Sequence, residues 1–280
     1  MNKEEYYEGW YLKHQNNGRT LCFIPGRSED HAFIQIITDE KAFNFKYPLS
    51  DYRKKEDEII IGNNIFSVNG VSFLLDNDEI SIRGTLNYRN LTRLKYDIMG
   101  PFSVFPMETK HTVISMNHDL YGSVKLNGET LSFNGGKGYI EGDRGSSFPK
   151  NYSWVQCNDF TENLSIMLAI ANIPFGAISF TGCIGIVQID KDQYRFATYK
   201  GVKILEYTEN RINIKQGSHR LVIETSPHKG HGLPAPDKGK MDRIIHENPS
   251  GKARFKFYRK KRLIFDCQSD GASYEYVPND

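Results

Sequence analysis

From Gly122 to Phe133 the chain spells out a complete β-hairpin. Val124 and Leu126 alternate with polar residues, Asn127-Gly128 supplies the two positive-φ positions of a type I′ turn, and Leu131 and Phe133 alternate on the return. The same punctuation recurs along the chain, at Asn16-Asn17-Gly18, Asn69-Gly70, Asp76-Asn77-Asp78, Asp190–Asp192 and Gln216-Gly217. Each of these separates short apolar or alternating runs, such as Ile59–Ile61, Ile80–Thr85, Tyr194–Thr198 and Ile212–Ile214. No stretch holds a 3.6-residue apolar period over three turns, so helices are expected to be few and short. With 17 Phe and 16 Tyr, propensity also favours strands.

Many strands joined by tight hairpins must stack as a sandwich or close as barrels. One barrel of about eight strands needs roughly 150 residues and leaves room inside for one small ligand. A chain of 280 residues therefore predicts two tandem antiparallel β-barrels, over residues 1–160 and 161–280, with the boundary in the polar stretch Asn158–Asn163.

Composition removes several function classes. A net charge of +2 offers no clustered basic face for nucleic acid. The basic run Arg259-Lys260-Lys261-Arg262 lies between two strand-like stretches and is expected at a hairpin tip in water, or at most in peripheral contact with an anionic membrane. Cys22, Cys157, Cys183 and Cys267 stand far apart without metal-ligand spacing, which predicts reduced, mostly buried thiols and a cytoplasmic location. The charged N-terminus lacks a signal-peptide core. Leu164–Ile189 is free of formal charge, but its glycines and the Pro174-Phe175-Gly176 turn predict two buried strands rather than a membrane span. Gly135-Gly136-Lys137-Gly138 precedes no helix and is no phosphate loop. No nucleophile elbow is present, and neither the histidines nor the His228/His231 pair predicts a metal site. No cofactor is expected.

Three segments stand out from ordinary loops and hairpins. They are Glu8-Gly9-Trp10-Tyr11-Leu12-Lys13; the stretch Gly100-Pro101-Phe102 through His111 to Asn117-His118-Asp119; and Gly135–Pro149 followed by Trp154-Val155-Gln156-Cys157-Asn158. The last of these, with Phe148-Pro149 and Tyr139-x-Glu141, resembles the signature segment of the tocopherol cyclase family. Glu8-Gly9-Trp10-Tyr11-x-Lys13 is similar to that family's N-terminal motif, and Leu233-x-Ala235-Pro236-x-x-Gly239-x-Met241-x-Arg243-Ile244, running on through Glu247, is a looser third match.

The resemblance implies lipocalin-like barrels with a cavity for an apolar small molecule, and a reaction that starts by protonating a prenyl alkene and ends in ring closure. Where the family pattern has Lys and Trp, this chain has Gly142 and Arg144, so a different substrate, or a non-enzymatic carrier of an apolar ligand, is the alternative expectation.

Alkene protonation needs a carboxyl kept in a dry pocket. Glu141 and Asp143 share one strand face and are the candidate donors, unless Arg144 or Lys137 ties them into an ion pair. Trp10, Tyr11, Tyr139 and Trp154 either line the cavity, where their faces would stabilise a cation, or simply fill the core. Gln156 and Asn158 share the Trp154 face, and either hydrogen-bond a ligand hydroxyl or pair with backbone. His111 and His118 are candidate bases or proton relays, or members of polar turns. Oligomeric state is not encoded in any of these features.

Overall fold

The computed structural model describes residues 6–175, 178–226 and 230–278. Gly176 of the expected turn and His228 lie outside them. The protein is all-β. Its only helical elements among the described residues are three 3-10 segments, Leu49–Asp51, Gly100–Val104 and Thr198–Lys200.

The chain forms two compact units that are not consecutive halves. The first comprises Met1–Leu94, Met107–Phe148 and Leu233–Ile244; the second comprises Lys95–Pro106, Pro149–Gly232 and Ile245–Asp280. A single cut at residue 160 cannot describe this, because the chain changes unit five times.

The first unit holds a twelve-stranded antiparallel sheet of β1 (Tyr7–Asn16), β2 (Arg19–Arg27), β3 (Ala32–Thr38), β4 (Ala42–Tyr47), β5 (Tyr52–Lys55), β6 (Glu58–Ile61), β7 (Asn64–Ser67), β8 (Gly70–Asp76), β9 (Ser81–Arg89), β10 (Thr109–Leu126), β11 (Glu129–Ser132) and β12 (Gly136–Gly145). Its order is β4-β3-β2-β1-β12-β10-β9-β8-β7-β6-β5, with β11 beside β10. The β10–β11 hairpin turns at Asn127-Gly128, both at positive φ, as the sequence predicts. One face carries a core including Leu12, Phe23, Ile34, Phe66, Leu86 and Phe133. The sheet curls without closing: β4 and β5 end the ladder path, yet Lys54 on β5 pairs with Glu8 on β1. This corrects the expectation of a barrel closed by hydrogen bonds.

The remaining ten strands form a second sheet, made of β13 (Tyr152–Cys157), β14 (Leu164–Phe175), β15 (Ile178–Ile189), β16 (Asp192–Ala197), β17 (Lys203–Thr208), β18 (Arg211–Gln216), β19 (His219–Thr225), β20 (His231–Asp237), β21 (Lys240–Arg259) and β22 (Arg262–Val277); most of β20 and the start of β21 fall in the Leu233–Ile244 stretch of the first unit, and the others in the second. They run in the order β16-β15-β14-β13-β22-β21-β19-β18-β17, with β20 beside β21. This path is open too. The Gln216 side chain nevertheless joins β18 to the edge strand β16, accepting from the Ala197 amide at 2.9 Å and donating to the Arg195 carbonyl at 2.8 Å. The charge-free stretch is the β14–β15 pair, and no helix among the described residues is long and apolar enough to cross a membrane. All four cysteines are free, and Cys267 alone is not fully buried. Lys260 and Lys261 form the β21–β22 tip.

Candidate functional site

Alternation along β1 and β12 divides the candidate residues between two faces. Antiparallel register sets Tyr11 opposite Glu141, Lys13 opposite Tyr139, and Gly9 opposite Asp143. On the other side of β12, β10 sets His111 opposite Asp143 and Val113 opposite Glu141. Residues directly opposed across a ladder share a face. Tyr11, Lys13, His111, Tyr139, Glu141 and Asp143 therefore lie together, on the face away from the apolar core.

His111 joins the two carboxylates. Its Nδ1 donates to Asp143 Oδ1 at 2.9 Å, and its Nε2 stands 3.3 Å from Glu141 Oε2. The second contact is an ion pair by distance but lacks hydrogen-bond alignment. Tyr139 Oη donates to the same Glu141 oxygen at 2.5 Å. Burial opposes a charge on His111, but Asp143 and then Glu141 outweigh it and hold the imidazole protonated well above the ordinary range. Burial, reinforced by Glu141, raises the Tyr139 phenol so that it remains a donor.

Side-chain exposure falls from 21 % at Asp143 to 10 % at His111 and 6 % at Glu141. The three residues thus run from a half-buried acid to a buried one. Tyr7 and Thr109 flank the Asp143 end. Tyr7 Oη donates to Thr109 Oγ1 at 2.9 Å, and burial followed by Asp143 raises its phenol.

The expected competitor for these acids does not reach them. Arg144 is one residue further along β12, on the opposite side, and is exposed. Position 142 also faces away, and its lack of a side chain has a packing cause: a Cβ there would lie 2.8 Å from Trp10 Cδ1. Both departures from the family pattern therefore fall outside the Glu141–Asp143 face.

Trp10 belongs to the apolar core rather than to the acid face. His118 is likewise in the core, packed on Tyr88 with ring centroids 4.3 Å apart. Its Nδ1 meets Ser115 Oγ at 3.1 Å, and a Cβ at Gly138 would come within 2.1 Å of its Nε2. Burial, with His14 nearby, pushes its pKa down to about 3, so it is neutral and no partner of Glu141. The glycine-rich approach to β12 accordingly serves packing, against β1 at Gly136 and against His118 at Gly138.

Trp154, Gln156 and Asn158 belong to the second unit. They are buried on the face opposite Val155 and Cys157, which enter that unit's core. Gln156 Nε2 donates to Asn158 Oδ1 at 3.2 Å. The same face carries Tyr152, whose hydroxyl donates to Glu275 at 2.6 Å, and Glu247, opposite Glu275 in register. Lys13, Tyr7 and Glu247 are buried polar residues missed as candidates, although Lys13 and Glu247 both stand in the motifs that drew attention.

His111, Glu141 and Asp143 each offer one donor atom within 4.8 Å of the others, a set that could hold a divalent cation. A metal would have to displace the proton that His111 shares with Asp143. The ion-paired triad and a metal triad are therefore mutually exclusive occupants of this site.

Phe148, at the end of the Gly135–Pro149 segment, links the start of β1 to the Leu233–Glu247 match within the first unit. Its ring meets Tyr7 edge-on at 5.5 Å, and its amide donates to the Pro236 carbonyl at 3.1 Å. A family model described as tocopherol cyclase-like matches residues 77–276. A rice (Oryza sativa subsp. japonica) protein named "Probable tocopherol cyclase, chloroplastic" is 31 % identical over 214 residues, 70 % of this chain. Those residues are 46 % of the rice protein, so the chain spans less than half of that relative's length. Among solved structures, CghA is similar with a TM-score of 0.63 at 9 % identity, over 99 % of this chain and 90 % of that one. Kievitone hydratase from Nectria haematococca is similar with a TM-score of 0.57 at 12 % identity, over 97 % and 88 %. At such identities these two structures speak for the fold.

Proposed function

Because the chain belongs to the tocopherol cyclase-like family, we propose that it catalyses a proton-initiated addition across an alkene of a prenylated or polyene apolar molecule. The addition is a cyclisation when the substrate's own hydroxyl adds and a hydration when water does. The observation that carries this reading is His111 held between Asp143 and Glu141, with Tyr139 on Glu141.

Glu141 is the proton donor, as the buried member of the triad. A proton moves from His111 Nε2 to the Glu141 carboxyl and on to the alkene, leaving a tertiary cation and a neutral imidazole. His111 recovers its proton from solvent through Asp143, the more exposed end. Hydroxyl attack on the cation forms the C–O bond and releases one proton, so the cycle consumes none. The Tyr11 and Tyr139 faces stabilise the cation by roughly 0.5–2 kcal/mol each. The names tocopherol cyclase and kievitone hydratase, borne by a relative and a structural neighbour, agree with this class of chemistry.

The test is incubation with a phytyl or geranylgeranyl hydroquinone, with ring closure followed by mass spectrometry and chromatography. Glu141→Gln and His111→Asn, with melting checked, are expected to lower turnover by about 100-fold or more, the usual scale of general-acid loss. Parental rates in folded Glu141→Gln protein would remove Glu141 from the role. A carrier would return its ligand unchanged, so product formation also decides between enzyme and binding protein.

A further inference from the structure

The second unit contains a hollow of about 580 Å³ whose lining includes Lys95, Asp192, Arg195, Lys200, His219 and Arg259. Four cations there face one carboxylate, and none of the four takes part in an ion pair among the described residues. Four positive charges less one negative leaves +3, more than the +2 of the entire chain. Like charges repel one another, so such a concentration costs stability unless an anion offsets it.

Arg195 is the fixed member of the set. Gln216 bonds the backbone at Arg195 O and at Ala197 N, two residues on. Its Nη1 donates to Tyr199 Oη at 2.7 Å, and its guanidinium lies 5.0 Å from the centre of the Tyr96 ring. Its Nη2 is buried and has no acceptor among the described residues. A guanidinium held by packing, with no carboxylate paired to it among the described residues, is organised to meet an oxyanion. Lys95, Lys200 and Arg259 are exposed around it, with the Lys95 ammonium turned to the Lys191 carbonyl at 3.1 Å. One wall is aromatic: His219 stacks on Phe257 at 5.8 Å and meets Tyr194 at 5.2 Å.

We propose that this hollow binds the diphosphate group of a small organic diphosphate, with Arg195 as the central contact and Lys95, Lys200 and Arg259 as the surrounding cations. A diphosphate matches the net charge, and its oxygens can meet cations on several sides at once. The volume lies in the range of small-molecule sites, which leaves space for an organic group beside Tyr194 and His219. This proposal is independent of the reaction assigned to Glu141.

Isothermal titration calorimetry of the full chain in about 50 mM salt tests it with inorganic pyrophosphate, adenosine diphosphate and geranyl diphosphate. Pyrophosphate is expected to bind, more weakly as salt is raised. Arg195→Gln/Arg259→Gln should weaken it by about tenfold or more, the scale of one lost charge-assisted contact. Asp192→Asn should tighten it. Arg83→Gln/Lys125→Gln, which removes two exposed charges from the other sheet, should leave it within about twofold. Tighter binding of one organic diphosphate supports the proposal and identifies the attached group, and equal affinity for all three shows recognition of the diphosphate alone. If the Arg195 double variant melts early, the rim variant Arg259→Gln is held to the same tenfold expectation. Absence of heat with all three probes, parental affinity in the hollow variants, or equal weakening by Arg83→Gln/Lys125→Gln would overturn the assignment.

Discussion

The indole of Trp10 crosses β12 at Gly142, so closely that a Cβ at 142 would lie 2.8 Å from Trp10 Cδ1. Substitution here pits two effects against each other. Alanine reduces the freedom of the unfolded chain, which stabilises by about 0.4–1 kcal/mol. It also overpacks a buried indole, which costs about 1–3 kcal/mol. The clash is the larger effect because Trp10 is itself fixed in the core. Gly142→Ala is therefore expected to destabilise by about 1–2 kcal/mol in urea unfolding, and Gly142→Ala with Trp10→Phe to lose less than the sum of the two single changes.

The Trp10–Gly142 contact bears on how far the sequence could be read. Period-two alternation correctly placed Glu141 and Asp143 on one face, and the same rule turns Arg144 away from both. What alternation could not supply was the partner on the neighbouring strand. His111 meets Asp143 only because β10 pairs with β12 in that register, and two register shifts follow along β10 before His118. His111 and His118 are seven residues apart, an odd spacing that puts them on opposite faces, and the two one-residue shifts add to two, which keeps that parity. One therefore joins the acids and the other enters the core. The interleaving of the units was equally hidden, since Lys95–Pro106 and Leu233–Ile244 join their units through long-range contacts that leave no local signal.

His111 makes stability depend on pH in a predictable direction. Its folded-state pKa is raised above the ordinary 6.5 by Asp143 and Glu141 despite burial. The native state therefore holds a proton that the unfolded chain releases above that value. Its contribution is fully present below about pH 6.5 and is lost as pH rises through the folded value. The stability difference between the parent and His111→Asn should be largest near pH 6 and shrink above pH 7. Urea midpoints measured across that range check it, and a difference that grew with pH would contradict the ion-paired geometry.

Tyr139 acts on Glu141 through one short hydrogen bond of 2.5 Å. Tyr139→Phe removes the donor and leaves the ring, so packing is kept. A hydrogen bond to a charged group contributes about 1.5–3 kcal/mol. The variant should unfold earlier by that order. The His111 resonance in an NMR titration should also move, because Glu141 is freed to interact more fully with the imidazole. An unchanged His111 titration would mean that Tyr139 and His111 do not share that oxygen.

The core histidines carry the opposite pH sign. His14 donates from Nδ1 to the Leu21 carbonyl at 3.0 Å and accepts from Tyr88 Oη at 2.5 Å, so it is held as a neutral tautomer. Burial lowers it to about 4, and burial with His14 lowers His118 to about 3. The unfolded chain takes up protons below pH 6.5 while the native core refuses them. Their contribution is complete above about pH 6.5 and is lost as pH falls toward 4 and 3. At about 1.4 kcal/mol per unit, His14 alone removes roughly 3 kcal/mol by pH 4. Stability should therefore fall steeply from pH 6 to pH 4, and His118→Gln should flatten that slope. Tyr88→Phe should lower stability by about 1–3 kcal/mol at pH 7 by leaving His14 Nε2 without its donor. It should also make His14 easier to protonate, because the phenol satisfies only the neutral ring. Acid unfolding that begins at higher pH in Tyr88→Phe than in the parent is the expected result, and coincident acid transitions would show that the hydrogen bond does not set the tautomer.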